Sequence, residues 1–312
     1  MCRVDVVMAT YNGEKYITEQ MESVMNNEGC EVHLHIFDDG STDHTLEKVE
    51  ECRAKYPRLI TVQKNEQNLG LTINFLRGIQ MVMEQNPEAQ YIMCCDQDDV
   101  WNTDKIKKTL KRMKQMEERY GEDRPMLVFT DATVTDDQLN ELQSSFYKSQ
   151  RYQVENLDLP HLLMENKCIG CTTMINRAYE PYLLRLPKQA RYHDWWLALI
   201  AATFGNISFL PRQTIQYRQH SNNVVGGAKF QSYFMNRIKS LKNQKLSLLE
   251  NKKQAEEFLS IFEDTLSLRK KAIFEVFIQM YQMSWFKQRY VLIHEGYLKS
   301  GIIRNLGLLL IF

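Results

Sequence analysis

The sequence has no run of about 18 or more uncharged apolar residues, so we expect no conventional membrane-spanning helix. It has no net charge either, because 39 Lys and Arg residues balance 39 Asp and Glu residues, and this gives no overall attraction to nucleic acid. No Gly-x-Gly-x-x-Gly follows the first predicted strand, which argues against a dehydrogenase. The seven cysteines lack a disulfide framework and are odd in number, which indicates reduced thiols in the cytoplasm.

The beginning of the chain also lacks the pattern of a cleavable secretory signal. Met1-Cys2-Arg3 leads directly into an apolar segment at residues 4–9, which we interpret as a first strand. We therefore expect the chain to remain on the cytoplasmic side. Its 312 residues are 44% hydrophobic and 25% charged, a composition that suits one large folded domain with an appendage.

An apolar run at residues 91–95 stops at three carboxylates, those of Asp96, Asp98 and Asp99. We interpret it as a buried strand that delivers acids to one edge of a sheet. Once the chain turns, Asp96 and Asp98 can converge on one hard cation, and Mg²⁺ or Mn²⁺ carrying a diphosphate suits two clustered carboxylates. The alternative is an acidic turn before a helix that begins near Thr103.

Predicted strands alternate with segments of helical spacing through the first half of the chain. The strands are predicted at residues 4–9, 32–37, 59–63 and 91–96. Strands joined through helices need right-handed crossovers, so we predict an α/β fold with a mostly parallel sheet. Ligands are expected at the carboxyl ends of these strands, where the polar loops lie.

Four motifs in this order resemble those of family 2 glycosyltransferases, in particular the rhamnosyltransferase-like members that build bacterial surface polysaccharides. The motifs are Ala9-Thr10-Tyr11-Asn12-Gly13, Phe37-Asp38-Asp39-Gly40-Ser41-Thr42-Asp43, residues 65–70 with Asn74, and Cys95-Asp96-Gln97-Asp98-Asp99-Val100-Trp101. The resemblance covers residues 1–225. It implies a GT-A fold (a Rossmann-like, mostly parallel sheet flanked by helices), a nucleotide-diphosphate-sugar donor, a divalent metal and inversion at the anomeric carbon.

We accordingly predict a catalytic domain over residues 1–227 and a helical extension over residues 228–312. The catalytic domain would comprise a nucleotide-sugar-binding half at residues 1–100 and an acceptor-binding half at residues 101–227. A Cys168-Ile169-Gly170-Cys171 segment has the spacing of a redox or zinc pair, but a second ligand pair is lacking, and we interpret both cysteines as small packing residues on the acceptor side.

The donor-side residues follow from side-chain chemistry and from the resemblance. Asp38 or Asp39 can accept the ring N–H of uracil or thymine, and Tyr11 can stack on the base; the alternatives are a tight turn before a capped helix and an ordinary packed aromatic. Asp99 is expected to touch the donor sugar. The other predicted donor-side residues are Thr10, Asn12, Asn68, Gly70, Asn74, Asp96, Gln97 and Arg218.

Asp194, at the start of an apolar helix, matches the family's catalytic carboxylate, which would take the proton of the acceptor hydroxyl. Many members have Glu-Asp here, whereas this chain has His193-Asp194, which puts the role of His193 in doubt. The alternative is that Asp194 only caps the helix. The predicted acceptor-side residues are Trp101, Cys171, His193, Trp195 and Trp196, of which Trp101 could instead be core or flank the donor pocket.

His220 resembles the family's third protein ligand for the metal, beside Asp96 and Asp98, and Arg218 could sit by the diphosphate. Because His220 precedes an Asn- and Gly-rich segment at residues 221–227, we favour a ligand on a loop that orders when donor binds; a surface histidine is the alternative.

The last 87 residues are basic, with 14 Lys or Arg against 7 Asp or Glu from Gly226 onward. Their apolar end, residues 301–312, is too short to span a bilayer but suits insertion into the inner face of an anionic membrane. A dimer interface, or packing against the catalytic domain, is the alternative. Membrane attachment would suit a lipid-linked saccharide acceptor, which the resemblance implies. Two other function classes are alternatives to a glycosyltransferase. One is a nucleotidyltransferase that makes sugar nucleotides, and the other is a non-catalytic sugar-binding or membrane scaffold protein.

Overall fold

Strands and helices alternate through the first part of the chain. The computed structural model describes residues 2–220 and 241–312. The first elements are β1 (Arg3–Thr10), α1 (Ile17–Met25), β2 (Glu31–Asp38), α2 (Thr45–Lys55), β3 (Ile60–Lys64), α3 (Leu71–Gln85) and β4 (Tyr91–Cys95). The predicted strands of this region are therefore all present.

The next part of the chain mixes shorter elements. They are β5 (Val100–Trp101), α4 (Lys105–Tyr120), β6 (Met126–Thr135), β7 (Glu141–Gln143), α5 (Phe146–Gln150), α6 (Leu159–Met164), β8 (Met174–Asn176), α7 (His193–Phe204) and β9 (Asn206–Arg218). Two 3₁₀ turns, Gly170–Thr172 and Arg177–Tyr182, flank β8. The second contains Pro181, which cannot supply a helical N–H, so a regular α-helix does not form there.

The described strands form one sheet in the order β3-β2-β1-β4-β8-β6-β9-β5, with β7 paired to β6. Neighbours β3-β2, β2-β1, β1-β4 and β6-β9 are parallel, whereas the shorter pairings of β8, β5 and β7 are antiparallel. The predicted mostly parallel α/β sheet is confirmed. β1 is buried from Val4 to Thr10, so the centre of the sheet is core.

The pairing register brings the ends of three strands together. Thr10 at the end of β1 lies opposite Asp38 at the end of β2, and Met8 lies opposite Cys95 at the end of β4. The polar loops that follow these strands therefore leave from the same edge of the sheet. This places the segments after residues 10, 38 and 95 side by side.

β9 is a single long strand that continues through Pro211. Its register against β6 shifts, since Thr130 pairs with Leu210 but Asp131 pairs with Gln213. The two residues between these pairs include Pro211, which lacks the N–H that regular pairing needs. The register shift accommodates Pro211 without ending the strand.

The described residues divide into two compact units. The first contains the residues up to Phe146, Cys168–Leu186 and Tyr192–Arg218, and it includes the sheet. The second contains Tyr147–Lys167, Pro187–Arg191 and the described residues from Gln219 onward. The domain boundary predicted between residues 227 and 228 lies outside the described residues and stays a prediction.

The second unit is helical. It contains α8 (Leu241–Phe262), α9 (Leu268–Met280), α10 (Trp285–His294) and α11 (Ile302–Ile311). Phe258 of α8 stacks on Phe274 of α9 with ring centroids 4.8 Å apart, and Asn251 donates from Nδ2 to the carbonyl oxygens of Leu163 and Met164 at 3.1 Å. No helix among residues 2–220 and 241–312 has the length and apolar character needed to cross a membrane.

Candidate active site

Asp38 ties the ends of β1 and β2 into one polar platform. Its Oδ1 accepts hydrogen bonds from the backbone N–H groups of Gly40 (3.1 Å) and Ser41 (3.0 Å). Its Oδ2 accepts from the hydroxyls of Thr10 (3.1 Å) and Ser41. Because its lone pairs are used in this way and the side chain is fully buried, Asp38 shapes the loop and has little capacity left for a nucleobase.

Asp39 holds the next loop of the same edge. Its Oδ1 accepts from Asn65 Nδ2 (2.9 Å) and the backbone N of Leu69 (2.8 Å), and its Oδ2 accepts from the backbone N of Gly70 (2.8 Å). Asn68 Nδ2 donates to the Asp39 carbonyl oxygen at 3.0 Å. Of the two predicted base-binding carboxylates, Asp39 keeps one unused lone pair on Oδ2 among these bonds, so it is the better placed to accept an N–H.

Gly70 and Asn74 complete the support of this loop. Gly70 has φ of 77°, a conformation that glycine adopts without strain, and it precedes α3. Asn74, in the first turn of α3, accepts from Asn65 Nδ2 at 2.8 Å and donates to the Phe37 carbonyl oxygen at 2.8 Å. These predicted donor-side residues act on the loop's backbone in this structure.

Tyr11 presents an exposed ring above the platform, with 51% of its surface accessible. Gln97 fixes the backbone behind that ring: the Tyr11 N–H donates to Gln97 Oε1 at 2.9 Å, and Gln97 Nε2 donates to the Tyr11 carbonyl oxygen at 3.1 Å. The neighbouring Asn12, at φ of 49°, accepts from the Thr42 backbone N at 2.8 Å. Gln97 is therefore a support for Tyr11, and the ring is free to stack on a flat ligand.

Three ligand-type side chains meet beyond the end of β4. The ligand atoms of Asp96, Asp99 and Cys171 lie within 4.8 Å of one another. Asp96 is half-buried and Asp99 is fully buried. The sequence prediction grouped Asp96 with Asp98 and His220 as ligands, and that grouping stays a prediction; the structure brings Asp99 and Cys171 to Asp96.

The acids of this cluster repel one another. Burial, together with the negative charges of Asp98 and Asp194, raises the pKa of Asp96 to about 7. Burial, with the charges of Asp98 and Asp96, also holds the pKa of Asp99 well above its usual range. Such a cluster favours a positive ion, because a cation offsets both the repulsion and the desolvation cost.

An unsatisfied oxygen shows that the cluster fits a cation. Asp99 Oδ1 accepts from the Arg218 backbone N at 3.1 Å, whereas Oδ2 is fully buried with no hydrogen-bond partner within the described part of the chain. A buried carboxylate oxygen without a partner is costly. A divalent ion held by Asp96 and Asp99 would supply the missing partner.

Asp194 stands at the first turn of α7, near this cluster. The N-cap of α7 is Tyr192, and Asp194 Oδ1 accepts from the adjacent Trp195 N–H at 2.7 Å. This bond satisfies one of the first-turn N–H groups of α7, and the role of Asp194 as the base stays a prediction. Its negative charge helps to raise the pKa of Asp96, and its Oδ2 would lie 3.5 Å from a Cβ added at Gly170, the residue before Cys171 of the cluster.

His193 is an uncharged ring packed beside Asp194. It stacks on Phe75 of α3 with centroids 3.9 Å apart, and neither ring nitrogen has a hydrogen-bond partner among the described residues. Burial lowers the pKa of His193 to about 3, so the ring is neutral at physiological pH. Gly170 lies against it, since a Cβ added there would be 2.6 Å from His193 Nε2 and 3.5 Å from Asp194 Oδ2.

Arg218 is a structural residue in this geometry. Its Nε donates to the Asp98 carbonyl oxygen (2.8 Å), Nη1 to the Asp137 carbonyl oxygen (2.6 Å), and Nη2 pairs with Glu19 at 2.5 Å. The guanidinium also lies 4.6 Å from the ring centroid of Tyr16. With all three nitrogens engaged, Arg218 positions the Asp98–Asp99 turn, and its predicted contact with the diphosphate would require it to leave these partners.

The remaining predicted residues are placed as follows. Trp101, Trp195 and Trp196 are all buried, so each acts mainly in packing in this structure. His220 is half-buried, belongs to the second unit and directly precedes the residues that are not described. Its role as a metal ligand stays a prediction, and the loop at residues 221–227 lies outside the described residues.

Lys105 is a charged residue of this region that the sequence analysis missed. It is fully buried at the start of α4, with Nζ 4.6 Å from the ring centroid of Trp101 and 3.4 Å from Thr214 Oγ1. Burial lowers its pKa to about 8, although the negative charge of Asp99 favours the protonated form. The sequence does not indicate that Lys105 is buried, because lysines in the first turn of a helix are commonly exposed on the surface.

Comparison with known proteins decides the family. The family model described as glycosyl transferase family 2 matches residues 5–167. The chain belongs to glycosyltransferase family 2. The resemblance seen in the sequence is confirmed, and it favours the glycosyltransferase prediction over the nucleotidyltransferase alternative.

Relatives of this family 2 glycosyltransferase include a rhamnosyl transferase and a putative teichuronic acid biosynthesis glycosyltransferase. It is 31% identical over 228 residues to dTDP-rhamnosyl transferase RfbG of Shigella flexneri. The alignment covers 70% of this chain and 73% of RfbG. It is 24% identical over 203 residues to the putative teichuronic acid biosynthesis glycosyltransferase TuaG of Bacillus subtilis. The alignment covers 64% of this chain and 73% of TuaG.

Solved structures confirm the GT-A fold of this family 2 glycosyltransferase. Residues 1–349 of TarS from Staphylococcus aureus, in complex with UDP-GlcNAc, align with a TM-score of 0.53 at 17% identity, covering 95% of this chain and 88% of that one. The mannosyltransferase PcManGT from Pyrobaculum calidifontis, in complex with GDP-Man and Mn²⁺, aligns with a TM-score of 0.50 at 15% identity, covering 97% of this chain and 87% of that one.

Proposed function

We propose that this family 2 glycosyltransferase transfers a sugar, with inversion, from a UDP- or dTDP-sugar to a hydroxyl of a growing, lipid-linked polysaccharide repeat unit. Rhamnose, galactose and glucose are the candidate sugars. The observation that supports the proposal most is that Asp194 Oδ2 lies against Gly170, next to Cys171 of the acid cluster, and that its charge raises the pKa of Asp96. The name of TuaG, which refers to teichuronic acid biosynthesis, supports a polysaccharide product, and the name of RfbG supports a dTDP-sugar donor.

The donor would lie across the edge formed by the ends of β1, β2 and β4. Tyr11, whose ring is exposed, stacks on the base, and Asp39 accepts the imide N–H of uracil or thymine through Oδ2. Gln97 and Asp38 contribute by holding Tyr11 and the β2 loop in place. This division separates residues that touch the donor from residues that only position them.

Mn²⁺ or Mg²⁺ would be held by Asp96 and its neighbouring carboxylates. A divalent ion, when bound, neutralises the diphosphate leaving group. The protein's own part is to keep the acids converged: the Arg218 backbone N–H holds Asp99, and its guanidinium holds the Asp98 carbonyl oxygen.

Asp194 would act as the base. Its carboxylate takes the proton of the acceptor hydroxyl as that oxygen forms a bond to the anomeric carbon, and the bond to the nucleoside diphosphate breaks on the opposite face. His193, neutral and stacked on Phe75, lines this position without competing for the proton. Gly170 leaves the space that both side chains occupy.

The second unit would attach to the inner face of the cell membrane. α10 exposes Trp285, Phe286 and Tyr290, and α11 exposes one apolar face made of Ile302, Ile303, Leu306 and Leu310, each more than half accessible. Arg289 Nη2 donates to the Leu309 carbonyl oxygen at 2.5 Å, so the two helices are neighbours. Exposed aromatic and aliphatic side chains on a basic segment suit an anionic lipid surface.

Two experiments test the proposal. In the first, a panel of UDP-, dTDP- and GDP-sugars is incubated with a polyprenyl-diphosphate-linked saccharide, with Mn²⁺ or with chelator; transfer should need a UDP- or dTDP-sugar and should stop with chelator. Transfer that ignores the metal contradicts the diphosphate bridge. In the second, Leu306→Glu with Leu310→Glu should abolish co-sedimentation with anionic vesicles, whereas Leu246→Glu, at an exposed leucine of α8, should not.

A further inference from the structure

A sulfur atom belongs to the ligand cluster of the proposed metal site. Cys171 lies in the 3₁₀ turn Gly170–Thr172, and its Sγ is within 4.8 Å of a carboxylate oxygen of both Asp96 and Asp99. The turn is fixed against β4, because the Cys94 N–H donates to the Thr173 carbonyl oxygen at 3.1 Å. The thiol is therefore held at the cluster by backbone hydrogen bonds.

The cluster is built to take a ligand. Asp99 Oδ2 is fully buried and has no hydrogen-bond partner in residues 2–220 and 241–312, although the other oxygen of the same carboxylate is satisfied by the Arg218 N–H. Among the described residues this oxygen has no partner in regular hydrogen-bond geometry, and a cation would supply one without adding a buried donor. Three atoms at these separations suit an ion that bonds each of them at about 2.0–2.3 Å.

The donor set also selects among ions. Oxygen-only sites suit Mg²⁺, whereas a thiolate favours softer ions such as Zn²⁺, Co²⁺ or Cd²⁺. Cys168, three residues earlier in the Cys-x-x-Cys segment, is not a member of the cluster, so the spacing does not form a two-sulfur site here.

We propose that Asp96, Asp99 and Cys171 together ligate the divalent ion, and that Cys171 shifts its preference from Mg²⁺ toward thiophilic ions. On binding, the S–H bond of Cys171 breaks, a bond from sulfur to the metal forms, and the proton passes to water. The inference rests on the proposed function, in that the ion would be the one that carries the donor diphosphate. It adds a ligand that the acidic motif alone does not contain.

Cadmium titration of the donor-free protein tests this directly. The wild type should develop the ultraviolet absorbance of a cadmium–thiolate bond, saturating at one ion per chain. Cys171→Ser should lose the absorbance and bind Cd²⁺ at least about 10-fold more weakly, while its Mg²⁺ affinity changes little. Cys168→Ser, the matched control at a buried cysteine outside the cluster, should behave as wild type. Asp99→Asn should weaken binding while keeping the absorbance.

Two outcomes overturn the proposal: retention of the full absorbance by Cys171→Ser, or Cd²⁺ binding by the wild type without thiolate absorbance. If Cys171→Ser does not fold, the cadmium NMR shift of the wild type decides, because a value typical of oxygen ligands alone overturns the assignment and one typical of a sulfur ligand supports it. No nucleotide sugar is present in these measurements. A failure of glycosyl transfer would therefore not change the conclusion about Cys171, and a failure of Cys171 to bind the ion would not refute glycosyl transfer.

Discussion

Replacing Asp96 by Asn should stabilise the metal-free protein at alkaline pH while destroying its response to metal. Asp96 carries a charge that the folded chain does not satisfy, since burial and the charges of Asp98 and Asp194 raise its pKa from 3.8 to about 7. Most single substitutions of buried polar residues destabilise a protein. An increase in stability would thus be a specific sign of a site prepared for a cation.

The size of the effect follows from proton linkage. Between pH 3.8 and about 7 the folded protein keeps a proton on Asp96 that the unfolded chain releases, so stability falls as pH rises through this window. A shift of this size corresponds to an upper limit of about 4 kcal/mol above pH 7. Because the effect is shared with neighbouring carboxylates, we expect Asp96→Asn to gain about 1–2 kcal/mol at pH 8 and less at pH 5.

The assay is urea unfolding of wild type and Asp96→Asn with chelator at pH 5 and pH 8, followed by thermal melts with Mn²⁺ and UDP. The wild type should gain stability from Mn²⁺ and UDP together, and the variant should not. Asp38→Asn is the matched control, because Asp38 already accepts bonds from Thr10, Gly40 and Ser41 and should lose about 1–3 kcal/mol at both pH values. If Asp96→Asn is as destabilising as Asp38→Asn at pH 8, Asp96 is a structural carboxylate and the reasoning is wrong.

Three further predictions concern the neighbours of this cluster. Tyr11→Ala should weaken UDP binding about 10-fold in calorimetry, because a stacked base is worth about 1–3 kcal/mol; unchanged affinity would remove Tyr11 from the donor site. Gly170→Ala should lower kcat at least about 10-fold while UDP binding is kept, since the new methyl must displace His193; a normal kcat would show that this spacing does not matter. Lys105→Met should tighten Mn²⁺ binding about 3-fold, as a buried positive charge near Asp99 is removed; weaker binding in a Mn²⁺ titration would contradict this.

Much of the fold could be predicted from the sequence because it depends on local patterns. Apolar periodicity located the first four strands, and the order of loops after them indicated a parallel sheet with its ligand edge at their carboxyl ends. The single strand β9 could not be foreseen, since Pro211 reads as a break when its partner strand is unknown. Its continuity depends on pairing with β6, a contact between segments about 80 residues apart.

The site was predictable only in part. Asp96 and Asp99 belong to one motif at the end of β4, so their proximity could be expected, whereas the predicted grouping of Asp96 with Asp98 and His220 stays a prediction. The clamp of Gln97 on Tyr11 and the burial of Arg218 could not be expected, because each depends on hydrogen-bond partners far away in the chain. Residue type determines which groups a side chain can bond, whereas the fold determines which of those groups lies within hydrogen-bond distance.

The most direct test of the account is single-turnover transfer by Asp194→Asn from a UDP- or dTDP-sugar to a polyprenyl-linked saccharide, with UDP binding measured on the same sample. The account predicts a rate at least about 100-fold below wild type, as expected for loss of a general base, together with metal-dependent UDP binding that is unchanged. Transfer at the wild-type rate would contradict it, because Asp194 would then not be the group that deprotonates the acceptor.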